Sequence, residues 1–379
     1  MYRVYRFRLY PSRTQESLMR THLWAAKRLW NNTLQLTKQL YVDFSKFPTR
    51  RTLAQLSKGS GLYSQVAQQV LVRLTLALKA VVRRKTAGGK AGFPRFKKSD
   101  RMKSLCYPQF GFQLVEKALR VTPFGEINIK RHRPIGGVIK SLSLKRESSG
   151  KWFAIFTVEL PNVEFKSNGN PSVGIDVGLK SFATMSNGLK IKNPRLFESA
   201  QERLAVAQRQ LSKKSRCGKN RGNAKRKVAL IHEKVTNKRN DFLHKFSRKL
   251  VGEYGLIALE KLDVIGLIRK NFGKQISDVS WGKFSDMISY KAAEAGCQVV
   301  FVEPKGTTKQ CSACGHFKEM PLAERTYVCG VCGLVEDRDL NAAKNVLAKA
   351  TAGIAGSNAC GVGSIISTAK QETRSEMTG

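Results

Sequence analysis

Val173-Gly174-Ile175-Asp176-Val177 is a short apolar run with a carboxylate near its end. Two more runs of this kind follow, Leu256-Ile257-Ala258-Leu259-Glu260 and Val299-Val300-Phe301-Val302. Short, continuous apolar runs read as interior strands. Phe182-Ala183-Thr184-Met185 and Lys190-Ile191-Lys192 read as antiparallel neighbours of the first. Helical stretches lie between the runs, so this half of the chain is expected to form a mixed α/β sheet.

A carboxylate beside a buried strand is costly unless it is paired or binds a cation. Asp176 and Glu260 are such residues, and a third acid, Asp339, opens the helical segment Asp339-Leu340-Asn341-Ala342-Ala343-Lys344-Asn345. Taken singly, Asp339 also reads as a helix cap and Glu260 as the ion-pair partner of a nearby lysine. Brought together, the three would hold two divalent ions about 4 Å apart for in-line phosphodiester hydrolysis. Hard oxygen ligands favour Mg²⁺ or Mn²⁺. Asp337 and Asp339 compete for the third position. Asp339 is assigned to it, oriented by free N–H groups at the helix start, and Asp337 to an outer shell.

Cys311-Ser312-Ala313-Cys314 and Cys329-Gly330-Val331-Cys332 are separated by 14 residues. Two C-x-x-C pairs at this spacing are a zinc-ribbon pattern, and four thiolates close the shell of one structural Zn²⁺. Cys106, Cys217, Cys297 and Cys360 stand alone and read as ordinary small residues.

The N-terminal part has a different rhythm. Residues 1–10 alternate like a strand, with Tyr5, Phe7 and Leu9 on one face and Val4, Arg6, Arg8 and Tyr10 on the other. Two long helical patterns follow, the second over about 64–84. Residues 104–165 are strand-like, with a hairpin from Ser141-Leu142-Ser143-Leu144-Lys145 across Ser148-Ser149-Gly150 to Trp152 and beyond. With the N-terminal strand they would close a small β-barrel. The loop Gly92-Phe93-Pro94-Arg95-Phe96-Lys97 interleaves aromatics with cations, which suits stacking on bases. The same phenylalanines also read as anchors into a core.

Charge narrows the partners. The 379 residues carry 68 Lys and Arg against 27 Asp and Glu, a net +41. A small acidic substrate would not need that charge, whereas a polyanion would. Within 201–250 there are 16 Lys and Arg against three acids. Lys213, Lys214, Arg216, Lys219, Arg221, Lys225, Arg226 and Lys227 are candidate phosphate contacts there, with Arg95, Phe96 and Lys97 in the earlier loop. The opening residues have no apolar signal-peptide core. The most apolar window, 66–82, is broken by Gln68, Gln69, Arg73 and Lys79 and reads as a half-buried helix. A cytoplasmic protein with no membrane partner is expected.

Several motifs together resemble the TnpB family of transposon-encoded proteins. Val173-Gly174-Ile175-Asp176-Val177-Gly178-Leu179-Lys180 is similar to its first RuvC motif and Ile257-Ala258-Leu259-Glu260-Lys261-Leu262 to its second. Cys329-x-x-Cys332 running into Asp337-Arg338-Asp339-Leu340-Asn341-Ala342-Ala343-Lys344-Asn345 is similar to the ribbon and the third. Lys261 stands where an acid is common. The resemblance implies a multidomain α+β protein. A β-barrel wedge domain (1–11 and 100–166) and a helical recognition domain (12–99) would precede a RuvC, RNase H-like domain (172–304 and 334–350). A zinc ribbon (305–333) would be inserted in the last, and 351–379 would be a disordered tail. It implies an RNA-guided, Mg²⁺-dependent DNA endonuclease with Asp176, Glu260 and Asp339 as catalytic residues. Its partners would be a guide RNA from the transposon end and double-stranded target DNA beside a short adjacent motif, in a prokaryotic, nucleoid-associated setting. A nuclease-inactive RNA-guided repressor and a transposase acting directly on DNA are the competing readings. Both fit less well, because no carboxylate is missing and the acids run Asp, Glu, Asp along the chain.

Overall fold

A computed structural model describes residues 2–359 apart from 45–46, 56–57, 99–100, 162–165, 216–217, 270–272 and 322. The chain divides into two compact units, residues 1–162 and 163–379.

The first unit contains β1 (Tyr2–Tyr10), α1 (Arg13–Phe44), α2 (Arg50–Gln55), α3 (Ser64–Thr86), β2 (Ser104–Tyr107), β3 (Phe112–Leu114), β4 (Ala118–Val121), β5 (Gly125–Lys130), β6 (Val138–Arg146) and β7 (Trp152–Glu159). Its seven strands form one sheet in the order β2-β6-β7-β1-β5-β4-β3, antiparallel throughout. The period-two pattern of β1 buries Tyr5, Phe7 and Leu9 and leaves Val4 and Tyr10 exposed. β2 and β3 lie at opposite ends of the strand order yet are joined by residues 108–111 alone. An extended chain from Tyr107 to Phe112 spans at most about 18 Å. Six strand spacings in a flat sheet would separate those edges by about 29 Å. The sheet must therefore curl, and it is barrel-like. Accordingly Phe112 on β3 meets Phe156 on β7 across the interior, with ring centroids 6.5 Å apart.

The helices of this unit do not build a core of their own. Met19, Leu23 and Leu34 of α1 and Val66, Val70 and Leu74 of α3 share one apolar cluster with Phe7, Leu105, Trp152 and Phe156 of the sheet. α3 is long and apolar enough to cross a membrane by composition, but its stripe from Val66 to Leu78 is packed against this core.

The second unit contains β8 (Ser172–Val177), β9 (Ser181–Met185), β10 (Lys190–Lys192), α4 (Gln201–Ser212), α5 (Lys219–Glu253), β11 (Leu256–Glu260), α6 (Val264–Arg269), α7 (Gly273–Val279), α8 (Trp281–Ala295), β12 (Gln298–Val302), β13 (Thr326–Val328), β14 (Val335–Asp337) and α9 (Arg338–Ala359). The main sheet runs β10-β9-β8-β11-β12. β8, β11 and β12 are parallel, and β9 is antiparallel to β8. Alternation along the strands divides the residues between two layers. Val173, Ile175, Ile257 and Leu259 pack with Leu243 and Phe246 of α5 and Phe284 and Ile288 of α8. Ala258 and Val302 pack with Val346 and Ala350 of α9. The sheet is thus covered on both faces, which explains its continuous apolar runs. α9 continues through Ala359, past the expected start of a disordered tail at 351. Its alanines keep the helix going, and residues 360–379 lie outside the described residues.

Candidate functional site

β8 and β11 set the geometry of the carboxylates. Their parallel register pairs Ile175 with Leu259, so Asp176 and Glu260 follow side by side on the opposite face, the face covered by α9. Gly174 lies on the same face two residues before Asp176. A Cβ there would come within 2.1 Å of the Ala343 carbonyl and 2.8 Å of the Leu347 backbone nitrogen. A glycine inside a strand signals such a close backbone approach. Ala342 and Ala343 are fully buried at the contact. Two alanines on the helix and a glycine on the strand let the first turn of α9 bring Asp339 over the sheet.

The electrostatics register this convergence. Burial, and then the charges of Glu260 and Asp339, push the Asp176 carboxyl well above the usual carboxylate range, with Arg338 as the opposing charge. Burial also raises Glu260, against a hydrogen bond from Thr307 and the charge of Lys349. The Asp339 carboxylate, one-fifth exposed, lies 3.4 Å from the Arg338 guanidinium and 3.9 Å from that of Arg325. Among the described residues, only the four-cysteine group has all its donor atoms within 4.8 Å of one another, so the carboxylates are neighbours without being closed into a single-ion cage. Their crowding is unfavourable while all are ionised, and an oxygen-seeking divalent cation is what such a donor set fits.

The expected roles of the two aspartates at the start of α9 need one correction. The free N–H groups do not orient Asp339. Asp337 Oδ1 accepts from the Asp339 and Leu340 N–H groups at 3.0 and 3.2 Å. Asp337 is therefore the N-cap. Its other oxygen accepts from Lys190 Nζ at 2.6 Å. Against the upward pull of burial, Lys190 and these N–H groups hold Asp337 below its ordinary value. An acid at the residue just before a helix outcompetes one inside the first turn for the free donors.

The four cysteines meet as two equivalent knuckles. Cys311 N–H donates to the His316 carbonyl and Cys329 N–H to the Leu334 carbonyl. Gly315 and Gly333 N–H return to the Cys311 and Cys329 carbonyls. Both glycines sit at positive φ, 77° and 73°, where a side chain would be strained. The Cys311–Cys332 and Cys314–Cys329 sulfur pairs are 3.6 Å apart. The Cys332 and Val331 N–H groups draw the Cys329 thiol down to about 6, toward the thiolate a soft metal needs. Cys106 and Cys297 lie apart from this cluster. Cys217 and Cys360 fall outside the described residues.

Asn341 and Asn345, one helical turn apart on α9 and buried, fasten the knuckle. Asn341 Nδ2 donates to the Gln310 carbonyl at 2.7 Å, and its Oδ1 accepts from Ser312 N–H at 2.8 Å. Asn345 Nδ2 donates to the Thr307 carbonyl at 2.9 Å and the Gln310 carbonyl at 2.6 Å. Sequence reasoning had no role for these asparagines, although their four-residue spacing places both on one face.

The nucleic-acid candidates divide. Phe93 packs on the first unit's core, edge-on to Tyr41 and Phe47, so it is an anchor. Phe96 is 48% exposed, with Lys38 Nζ 4.6 Å from its ring. Arg95 is exposed, and Lys97 leans on Trp30 at 4.6 Å. Lys213 and Lys214, just past the end of α4, and Lys225, Arg226 and Lys227 on α5 are exposed. Arg221 departs from the expectation, because its guanidinium donates to the Leu211 and Lys214 carbonyls at the end of α4. Arg216 lies outside the described residues, as does the side chain of Lys219.

Three family models match the chain: "Probable transposase" over residues 155–271, "Cas12f1-like, TNB domain" over 281–346 and "Helix-turn-helix domain" over 1–43. Two relatives match nearly end to end. A Streptomyces pristinaespiralis protein named "Putative RNA-guided DNA endonuclease" is 31% identical, over 95% of this chain and 91% of its own. One from Escherichia coli K12, named "Putative RNA-guided DNA endonuclease InsQ", is 30% identical over 91% of each. Among solved structures, a cryo-EM "Cas12f1-sgRNA-target DNA complex" aligns with 92% of this chain and 99% of that chain, at 17% identity and a TM-score of 0.35. The chain belongs to the TnpB family.

Proposed function

We propose that this protein is an RNA-guided DNA endonuclease of a transposon that hydrolyses target DNA at Asp176, Glu260 and Asp339 with two Mg²⁺ or Mn²⁺ ions. One observation carries the reading. The parallel pairing of β8 and β11 puts two carboxylates side by side in mid-sheet, under the helix start that supplies the third. The mixed five-stranded sheet supports a RuvC, RNase H-like assignment for the second unit. The barrel-like sheet and the helices packed on it would be the wedge and recognition elements, and the four-cysteine knuckle would hold structural Zn²⁺.

Divalent ions bound at the carboxylates supply activation of water and charge neutralisation at the leaving oxygen. The rest of the work falls to the chain. Asp176 and Glu260, fixed by the sheet, would hold the ions. Asp339 rides on a helix start capped by Asp337 and so approaches at a set height. Arg325 and Arg338 lie beside Asp339 as counter-charge. The exposed lysines and Arg226, just past α4 and on α5, suit the phosphates of a guide RNA–DNA hybrid. Recognition of a short motif beside the target would license cutting, and such an enzyme works at the nucleoid in a prokaryotic cytoplasm.

The test is to sequence the RNA that copurifies, replace its guide segment and assay cleavage of a matching plasmid in Mg²⁺. Cleavage that follows the new guide and vanishes in Asp176→Ala is expected. Guided binding without cleavage by the wild type would favour a repressor. Cleavage independent of RNA would favour a transposase.

A further inference from the structure

We infer that Thr307 is a positioning residue for Glu260, and that it ties the carboxylate cluster to the cysteine knuckle. The inference rests on Asp176, Glu260 and Asp339 being the ion-binding site. Thr307 is 2% exposed and lies four residues before Cys311. Its Oγ1 is 2.5 Å from Glu260 Oε1 and 3.0 Å from the Pro304 carbonyl. A hydroxyl has one proton to donate, and the carboxylate, charged and closer, is the acceptor that takes it. The bond leaves Glu260 Oε2 and the remaining lone pair of Oε1 for a cation.

The threonine is itself held from the other side. Its carbonyl accepts from Asn345 Nδ2, the same amide that binds the Gln310 carbonyl, while Asn341 holds Gln310 and Ser312 on either side of Cys311. A continuous set of hydrogen bonds therefore runs from Glu260 through Thr307 and Asn345 to the first knuckle. Asn345 stands on the helix that carries Asp339. Loss of the knuckle's shape would release Thr307, and with it the rotamer of Glu260. A ligating carboxylate freed from its hydrogen-bond partner typically loses ten- to a hundredfold in metal affinity.

The test compares wild type, Thr307→Val, Thr307→Ala and Thr307→Ser in the full chain with its copurifying RNA. Mn²⁺ affinity is read by electron paramagnetic resonance, as the binding that Glu260→Gln lacks, together with zinc content and the Mg²⁺ concentration for half-maximal cleavage. Thr307→Val should weaken Mn²⁺ binding at least tenfold and raise the Mg²⁺ requirement similarly. Zinc content and target binding should stay at wild-type values, and Thr307→Ser should restore both ion readouts. Thr307→Ala repeats the deletion without the branched methyl should the valine variant misfold. Wild-type Mn²⁺ affinity in either folded deletion variant overturns the inference, as does loss of zinc or target binding in both, which would make Thr307 a structural residue of the knuckle. If wild type and Glu260→Gln bind Mn²⁺ alike, the ion-site reading itself fails, and that result is distinct from the others.

Discussion

The four sulfurs come from 22 consecutive residues, whereas the three carboxylates span 164. In the knuckle, backbone turns bring the donors together, and the two glycines at positive φ are part of the ligand geometry. In the carboxylate site the donors are brought together by strand register and by helix packing. Among the described residues the knuckle has little apolar core beyond Tyr327, Met320 and Leu334, so a bound metal would be its main source of order. The carboxylates stand on a sheet packed on both faces, and the fold should survive loss of any one of them. The lesson is that an ion bound by the four cysteines would make the fold around it, whereas at the carboxylates the fold makes the site.

The sharpest way to break this contrast is Asp176→Ala. Cleavage should fall below detection, while melting temperature is unchanged or higher, because a crowded buried carboxylate is removed. A drop of many degrees would mean that the acids hold the sheet together. Cys329→Ser makes the converse case. Zinc should be lost and residues 307–337 should become open to protease, since structural zinc contributes on the order of 10 kcal/mol to such modules. Full protection in a zinc-free variant would remove the distinction between the two sites.

Gly174→Ala probes how the fold makes the carboxylate site. The added methyl meets the Ala343 carbonyl, so α9 must move off β8. Overpacking of this kind costs roughly 1–3 kcal/mol, and cleavage should drop far more than stability does. Equal stability and activity to wild type would show that the approach of α9 is not needed. Asp337 gives a smaller effect. Asp337→Asn keeps a good cap and should lose only a fewfold in rate, whereas Asp337→Ala should lose roughly ten- to a hundredfold and about 1 kcal/mol of stability. Identical rates for the two would deny the cap any part in placing Asp339.

The smallest effect lies away from both sites. Lys291, 3% exposed, donates to the His244 carbonyl and Ser247 Oγ at 2.7 Å each. Burial lowers it to about 8. The unfolded chain holds this proton up to its ordinary value, so between about 8 and 10.5 the folded state binds fewer protons and stability rises with pH. Relative to Lys291→Met, the wild type should gain a few degrees in melting temperature across that window. A constant gap would show that the lysine titrates normally.

How much of this was legible follows from the same contrast. The knuckle could be read directly, because C-x-x-C spacing is a local backbone requirement. Asp176 and Glu260 stood out because each is a carboxylate at or near the end of an apolar strand. What the chain does not spell out is what each acid touches. Asp337 and Asp339 differ only in which one reaches the free N–H groups, and that depends on where the first turn of α9 begins. Thr307, Asn341 and Asn345 carry no unusual local pattern, since their partners lie across a tertiary contact. Gly174 offered a signal, a glycine inside a strand, whose meaning needs the helix above it. Arg221 looked like its basic neighbours until the end of α4 was placed beside it.

The position of β1 bears on how the chain is made. It lies inside its sheet, paired with residues 152–159 on one edge and 128–130 on the other. At 5–20 residues per second, synthesis reaches those partners roughly 8–30 s after β1 emerges. Throughout that interval a strand with three buried-to-be apolar side chains has both hydrogen-bonding edges open, the condition under which nascent chains pair with one another. Arg6 and Arg8 alternate with Tyr5, Phe7 and Leu9, and Arg3 stands two residues before Tyr5. On a polysome crowded with identical nascent chains, those charges repel copies of the strand until residues 128–159 arrive to claim it.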